Sequence, residues 1–270
     1  MTRIDAYLRR HSSVPGWLDD YSASFIVMLS RIQKDHGIHG GVSEIGVHMG
    51  RLFILLKLLC ENDERALAID VFGDQHLNTD QSGGGDRALF MANLMRHASA
   101  DGLAVLQKSS LEVRPEEIAT ALDACRLFSV DGGHTAECTV NDLRLADAAL
   151  GPQGVAILDD YFNPSWPDVS TGAAQFFDDP ASRLKPFAVS PNKLYLTRPE
   201  ANGFYRSALL QTQKDFHEKE SRMFDAAVSI FGVEPETHAF ARRLKRIVRD
   251  SPIGAPLVMA RQRLRSAAGH

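Results

Sequence analysis

The stretch VSEIGVHMGRLFILLKLL, residues 42–59, decides the fold of this chain. Its first five residues have the length and composition of a buried strand, and from Arg51 onward the apolar residues form a longer run that is typical of a helix. Gly46 and Gly50 stand between the two patterns, where a chain that turns from strand into helix needs backbone freedom. The stretch therefore predicts the start of an alternating strand–helix fold.

The same alternation continues along the chain. Four more short apolar runs follow, separated by helix patterns: ALAIDVF (66–72), LAVLQ (103–107), CRLFSVD (125–131) and GVAILDD (154–160). Such alternation is typical of a doubly wound α/β sheet with helices on both faces. We predict a Rossmann-like, mostly parallel, seven-stranded sheet, in which PFAVS (186–190) and KLYLT (193–197) form an antiparallel hairpin at the edge.

Helix patterns flank this core on both sides. Residues 1–40 are expected to form a helical cap, residues 41–200 the core, and residues 201–270 a helical extension, all within a single domain. The extension ends in a basic tail, because residues 241–270 carry eight lysines or arginines and one aspartate. We expect this tail to be a solvated face or to dock on the acidic body, although contact with a membrane surface stays open.

Composition excludes several classes of protein. With 44% apolar and 24% charged residues, the chain is expected to be globular, not disordered. Its three cysteines show no CxxC spacing, which argues against a disulfide framework and a zinc ribbon. The most apolar run, LFILLKLL from Leu52, is too short to span a bilayer. A cytoplasmic protein without a signal peptide or transmembrane helix is the expectation.

Ligands of doubly wound sheets bind beyond the carboxyl ends of the strands, so the residues that end each strand matter most. The first strand ends in EIGVHMG, where His48 stands in place of the second glycine of the dinucleotide motif GxGxxG. A pyrophosphate needs that glycine, so an NAD-dependent oxidoreductase is disfavoured. The second strand ends at Asp70, where a carboxylate can accept both hydroxyls of a ribose. A glycine turn followed by an acid predicts a nucleoside ligand, with an ordinary turn and a helix cap as the alternative.

Acidic side chains end two further strands. Asp131 ends the fourth, with His134 three residues later, and Asp159 and Asp160 end the fifth. Carboxylates held close together repel one another unless a cation or a proton compensates, which favours a hard divalent ion such as Mg²⁺. The alternative is that these acids cap the following helices or face solvent.

The ordered set EIGVHMG, AIDVF, QKSS, VDGGH and AILDDY resembles a class I S-adenosylmethionine-dependent methyltransferase. More narrowly, it is similar to the metal-dependent family of macrocin-type sugar O-methyltransferases. The resemblance covers about residues 40–200, and its most specific parts are the DGGH and DDY stretches. The DxxH spacing also resembles the DxxK arrangement of catechol O-methyltransferases.

This resemblance implies roles for individual residues. It implies metal ligation by Asp131, Asp159 and Asp160, with His134 as the catalytic base and Asp131 in the catalytic centre. The residues that it places at the cofactor run from the methionine end, through the ribose, to the adenine: Glu44, Gly46, Val47, Gly50, Asp131, Asp70, Phe72, Ser109 and Ser110. The alternative is that His134 is a loop residue that forms hydrogen bonds only with the backbone.

Other features leave more than one interpretation open. The long polar segment 73–87 suits a mobile substrate loop or a solvent loop, and its Asp74, His76 and Asp80 would allow a second metal site. Trp166 is expected either as an aromatic wall over a sugar ring or in the core. Lys193 has no assigned role beyond structure.

The sequence thus predicts an S-adenosylmethionine-dependent and divalent-metal-dependent O-methyltransferase. Its expected acceptor is a sugar hydroxyl in a glycan or glycosylated metabolite, and a catechol-like diol is the alternative. A non-catalytic cofactor-binding or membrane-associated protein is the alternative from another class. No nucleic-acid partner is expected, and the terminal helices are the expected contacts of any homo-oligomer.

Overall fold

The computed structural model describes residues 2–61 and 63–232. One nine-stranded sheet forms its centre, in the spatial order β3-β2-β1-β4-β5-β7-β6-β9-β8. Its strands, in chain order, are β1 (Gly41–Ile45), β2 (Ala66–Asp70), β3 (Leu103–Gln107), β4 (Cys125–Val130), β5 (Leu150–Leu158), β6 (Lys185–Val189), β7 (Leu194–Thr197), β8 (His217–Met223) and β9 (Ala226–Phe231).

Eight α-helices surround the sheet in the described part of the chain. They are α1 (Arg3–Leu8), α2 (Asp20–Asp35), α3 (Arg51–Leu59), α4 (Arg87–His97), α5 (Pro115–Ala121), α6 (Ala136–Ala149), α7 (Pro167–Asp178) and α8 (Pro199–Thr212). None of the helices in residues 2–61 and 63–232 is long and apolar enough to cross a membrane.

The first five strands are parallel, and the chain order reverses between β1 and β4. Their side chains alternate between two apolar cores, as in β2, where Ala66 and Ala68 face one core and Leu67 and Ile69 the other. Helices α1 to α4 and α8 cover the first core, and α5 to α7 cover the second. The predicted doubly wound α/β fold is confirmed, and the reversal opens a crevice at the carboxyl ends of β1 and β4.

The far side of the sheet differs from the prediction. The hairpin of β6 and β7 is antiparallel as predicted, but it lies inside the sheet because β9 pairs with β6 and β8 pairs with β9. The prediction that residues 201–270 are helical is therefore wrong for residues 217–231. The charged side chains of HEKESRM are typical of a helix surface, but here they belong to the solvent-exposed edge strand β8. Charge on an edge strand discourages pairing with other chains. The basic tail lies outside the described residues.

Candidate active site

A cavity of about 790 Å³ lies at the carboxyl ends of the parallel strands. Its floor is made by the residues that end β1, β2, β4 and β5, and residues 192–193 add to it from the start of β7. Residues 16–19 and parts of the segment 75–85 form its upper walls. The strand ends singled out by sequence therefore meet in one place.

The turn after β1 is built for close backbone approach. Gly46 has φ +85°, and a Cβ at this position would lie 1.7 Å from the carbonyl oxygen of Asp131. Gly46 and Val47 line the cavity, as predicted. Gly50 does not line it, which differs from the sequence assignment: with φ +94° it is the N-cap of α3 and packs against the ring of Phe90.

Glu44 places its carboxyl group in the cavity wall, and one oxygen of this group has no hydrogen-bond partner within the described part of the chain. The side chain is buried, and Oε2 has no hydrogen-bond partner among the described residues. Burial raises the pKa of Glu44 well above its ordinary value, with further contributions from Asp70 and Asp159. An orphaned buried oxygen beside a glycine turn fits a cofactor that brings its own polar group, as the amino group of a methionyl chain would.

Asp70 holds the same turn from the neighbouring strand. Its Oδ2 accepts a hydrogen bond from the backbone N–H of His48 at 2.6 Å, and its Oδ1 accepts one from the N–H of Phe72 at 2.5 Å. Burial raises the pKa of Asp70, and these two backbone donors oppose the shift. Asp70 lines the cavity, and contact with a ribose stays a prediction.

Phe72 is not at the cavity, which corrects its assignment to the adenine. Its backbone has φ +47°, and its fully buried ring stacks on Phe90 with 5.5 Å between centroids. Val71 lines the cavity instead. The two predicted serines, Ser109 and Ser110, do line it, although Ser109 Oγ also accepts from Leu111 N–H at the start of a 3₁₀ turn.

Three potential metal ligands gather at the ends of β4 and β5. Asp131, His134 and Asp160 each offer an atom, and these atoms lie within 4.8 Å of one another. Burial raises the pKa of Asp131 well above its usual range, and the charge of Asp159 adds to this rise. The two carboxylates offer the oxygen ligands that a hard divalent cation such as Mg²⁺ or Mn²⁺ prefers. The predicted metal site is therefore compatible with Asp131 and Asp160.

Asp159, the third predicted ligand, lines the same cavity but is not in this group, and its role as a ligand stays a prediction. Its Oδ2 accepts a hydrogen bond from the ammonium group of Lys193, a residue to which sequence reasoning gave no function. Its Oδ1 accepts from Asn192 Nδ2 at 3.1 Å and from the N–H of Asp160 at 2.9 Å. The carboxylate is thus neutralised and hydrogen-bonded by the protein itself.

His134 lies between two carboxylates. Its Nδ1 contacts Asp80 Oδ2 at 2.7 Å, its Nε2 contacts Asp160 Oδ2 at 3.1 Å, and its ring stacks on Trp166 with 4.2 Å between centroids. Burial by itself would lower the pKa of His134, but the hydrogen bonds to Asp160 and Asp80 raise it to about 9. The imidazole is therefore protonated at neutral pH, and its role as a base stays a prediction that requires it to lose this proton.

The ion pair of His134 with Asp80 predicts that the stability of the protein depends on pH. The pKa of His134 rises from 6.5 to about 9 on folding, so its contribution is complete below pH 6.5 and is lost as pH rises through 9. In EDTA, the free energy of unfolding in urea should fall by about 2 kcal/mol between these limits relative to the variant Asp80→Asn. Equal slopes for the two proteins would contradict the pairing.

Parts of the segment 73–87 line the cavity, although many of its residues are exposed to solvent. Asp80 accepts a second hydrogen bond from the N–H of His134 at 2.5 Å, and a Cβ at Gly85 would lie 3.0 Å from Asp70 Oδ1. Asp74 is engaged by Gln107, and no candidate metal group within the described ranges contains Asp74, His76 or Asp80. The proposed second metal site is therefore not supported.

Trp17 is a cavity residue that sequence reasoning missed. Its side chain is 72% exposed, and its ring lies 5.2 Å from that of His48. Gly83 lies on the other side, where a Cβ would be 3.8 Å from the indole. The exposed indole, the glycine segment and His48 thus meet at the cavity mouth. The sequence pattern placed Trp17 in the helical region of residues 1–40, whereas it lies in the loop that precedes α2.

The chain was compared with known proteins. Residues 43–161 match the model of a family described as "Methyltransferase domain". No curated protein matches the sequence significantly. Among solved structures, the O-methyltransferase NovP superposes with a TM-score of 0.56 at 16% identity, over 65% of this chain and 78% of that chain.

Two further structures show the same fold. The calicheamicin methyltransferase CalS11 has a TM-score of 0.50 at 15% identity, over 72% of this chain and 91% of its own. An S-adenosylhomocysteine-bound methyltransferase from Podospora anserina, PaMTH1, has a TM-score of 0.51 at 10% identity, over 73% and 87% of the two chains. Residues 43–161 are therefore similar to a methyltransferase domain, and the chain shares its fold with these three structures.

Proposed function

We propose that this chain transfers the methyl group of S-adenosylmethionine to a hydroxyl oxygen of a sugar, in a glycan or a glycosylated metabolite, with a divalent cation such as Mg²⁺ bound. One observation carries the proposal. Asp131, His134 and Asp160 come together in the same cavity as the glycine turn and the orphaned carboxyl group of Glu44. The cofactor and acceptor sites would thus share one cavity.

The cofactor would lie along the ends of β1 and β2. Gly46 lines the cavity, Glu44 would offer its free oxygen to the methionyl amino group, and Asp70 would face the ribose. Ser109 and Ser110 border the adenine end. The SAH-bound structure of PaMTH1 has the same fold and supports a cofactor of this kind.

The acceptor hydroxyl would lie near Asp131, Asp160 and His134. A cation held by Asp131 and Asp160 would lower the pKa of the hydroxyl and orient it toward the sulfonium methyl group. His134 would accept the hydroxyl proton once its own proton is lost, and Asp80 and Trp166 would keep its ring in place. The new bond is carbon to acceptor oxygen, and the broken bond is carbon to sulfur.

The substitution Asp160→Ala tests the proposal. Turnover, followed with labelled S-adenosylmethionine on sugar and catechol acceptors, should fall by about 100-fold or more, because a carboxylate that faces both cation and His134 is lost. Binding of S-adenosylhomocysteine should be retained. Asp168→Ala, an exposed acid in the first turn of α7, is the control. Full turnover by the Asp160 variant would contradict the proposed role, and turnover only with catechols would replace the sugar by the aromatic alternative.

The cavity walls support a sugar acceptor. Polar side chains such as Asn78, Thr79 and Asn163 line the same cavity as Trp17 and Trp166, and such a mixture suits a ring with apolar faces and hydroxyl edges. Trp17→Ala should raise the KM for the acceptor by about 10-fold and change kcat by less than about threefold.

Two controls accompany this substitution. Trp17→Phe should restore most of the affinity because it keeps an aromatic face, and Met95→Ala removes an exposed apolar side chain that does not line the cavity. An unchanged KM for the alanine variant would exclude Trp17 from the acceptor site. The alternative of a membrane-associated protein depends on the basic tail, which lies outside the described residues.

A further inference from the structure

Trp17 lies in a short loop at the mouth of the cavity. Residues 14–19 lead into α2, and the indole of Trp17 is 72% exposed in the middle of this loop. The side chains of Val14 and Leu18 are buried in the first apolar core, whereas Gly16 between them has φ +136°. The apolar anchors therefore fix the two ends of the loop, and the part that carries Trp17 needs another support.

Arg51, the first residue of α3, holds this loop from the turn that follows β1. Its Nε donates to the carbonyl oxygen of Val14 at 2.6 Å, and its Nη2 donates to that of Ser12 at 3.3 Å. A Cβ at Gly16 would lie 3.2 Å from Arg51 Cβ, so the loop backbone packs directly against this side chain. Arg51 thus joins the start of α3 to the segment that leads into Trp17.

The geometry of arginine suits this task. A guanidinium group presents several N–H donors in one rigid plane, whereas the ammonium group of lysine is a single point on a flexible chain. The backbone of Arg51 is fixed in turn, because its carbonyl oxygen accepts a hydrogen bond from the hydroxyl of Tyr7 at 2.6 Å. Tyr7 is buried in α1. The guanidinium therefore acts from a rigid base.

The indole itself contacts the same turn. The ring of Trp17 lies 5.2 Å from that of His48, three residues before Arg51. A Cβ at Gly16 would lie 3.6 Å from His48 Nδ1. The turn after β1 therefore meets the loop at two points, one at the indole and one at the carbonyl groups before it.

We propose that Arg51 is a positioning residue for the acceptor: it fixes the loop of Trp17 so that the indole borders the cavity, and it does not touch the acceptor itself. The inference rests on the proposed function, because Trp17 is part of the proposed acceptor site. Without the guanidinium, the carbonyl groups of Ser12 and Val14 lose their partner, and the loop gains freedom. An acceptor must then order the loop when it binds, which weakens its affinity.

The fluorescence of Trp17 tests the position of the loop without turnover. The chain has two tryptophans, so Trp166→Phe leaves Trp17 as the only reporter. In this background, Arg51→Met should raise the amplitude of fast indole motion, measured by time-resolved fluorescence anisotropy, by at least about twofold. Arg65→Met is the matched control, because Arg65 donates to the carbonyl oxygen of Thr120 at 3.3 Å and does not line the cavity.

Acceptor kinetics give the second measurement. Arg51→Met should raise the KM for the sugar acceptor by about 10-fold and change kcat by less than about threefold, as Trp17→Ala does. The double variant Arg51→Met/Trp17→Ala should be no worse than Trp17→Ala alone, because Arg51 acts through Trp17. Additive losses would overturn the inference. So would a folded Arg51→Met variant in which the indole moves no more than in the unaltered chain.

Arg51→Lys separates this role from a role of the charge alone. Lysine keeps the positive charge but not the rigid fork, so this variant should also show a raised KM and a more mobile indole. Both Arg51 variants should retain the affinity for S-adenosylhomocysteine within about threefold, measured by calorimetric titration. A loss of about 10-fold or more in Arg51→Met, with an unmoved indole, would assign Arg51 to the cofactor and overturn the inference.

The outcomes distinguish this inference from the proposed function. If the unaltered chain turns over no sugar acceptor, the proposed function fails, and the anisotropy alone decides whether Arg51 holds the loop. Greater indole motion in Arg51→Met but not in Arg65→Met would then support the positioning of Trp17. Equal motion in both variants would overturn it.

Discussion

Gly46→Ala is expected to abolish binding of S-adenosylhomocysteine and to lower the free energy of unfolding by about 3 kcal/mol or more. An alanine Cβ would lie 1.7 Å from the carbonyl oxygen of Asp131, and this obstacle is backbone that cannot rotate away. The φ of +85° adds strain for any residue with a Cβ. To relieve the collision, β1 and β4 would have to separate at the edge where the cavity lies.

The matched control is Gly203→Ala, in α8. A Cβ at Gly203 would meet nothing within 4 Å, and the position is helical and exposed. This variant should gain a few tenths of a kcal/mol or more, since alanine favours helix over glycine. Calorimetric titration with S-adenosylhomocysteine and urea unfolding of both variants measure these two effects. Normal affinity in the Gly46 variant would show that the turn does not need its close approach to Asp131.

Arg126→Met should cost about 3–5 kcal/mol of stability, because it leaves the buried carboxylate of Glu64 without its partner. Arg126 is 1% exposed within β4 and forms two bonds to Glu64, from Nε to Oε1 at 2.8 Å and from Nη2 to Oε2 at 3.0 Å. It also donates to Ser30 and Gln33 of α2 and to a carbonyl of α3. The guanidinium thus joins two helices to the sheet.

Arg144→Met provides the comparison on the surface. Arg144 also pairs with a carboxylate, that of Asp179 at 2.9 Å, but its side chain is 61% exposed. Its loss should cost less than about 1 kcal/mol, because exposed ion pairs contribute little. Urea unfolding of both variants measures the difference. A cost below about 1 kcal/mol for Arg126→Met would show that the buried network is not required for stability.

Much of the central sheet was predictable from the sequence because its signals are local. Apolar runs of five to seven residues, separated by helix patterns, mark the five parallel strands. The acids at Asp131 and Asp160 were predictable for the same reason, since strand ends of a parallel sheet meet at one edge. Strands β8 and β9 were not predicted, because the charged edge strand β8 imitates a helix surface.

The partners of the site residues depend on long-range packing, which periodicity does not reveal. Asp80 reaches His134 across 54 positions of sequence, and Lys193 reaches Asp159 across 34. One signal for the Lys193–Asp159 pair is present in the sequence. A strand that returns antiparallel to GVAILDD begins where that run ends, which brings its first residues close to the two acids. Phe72 was misplaced because a left-handed backbone conformation after the strand turns its ring into the core.

The central claim is that the cavity binds the methyltransferase cofactor at the turn of Gly46, beside a cation site. Calorimetric titration of S-adenosylhomocysteine into the purified chain, with Mg²⁺ present, tests it most directly. We expect one molecule to bind per chain and binding to disappear in Gly46→Ala but not in Gly203→Ala. Absence of binding to the unaltered chain, or equal binding to both variants, would contradict the account.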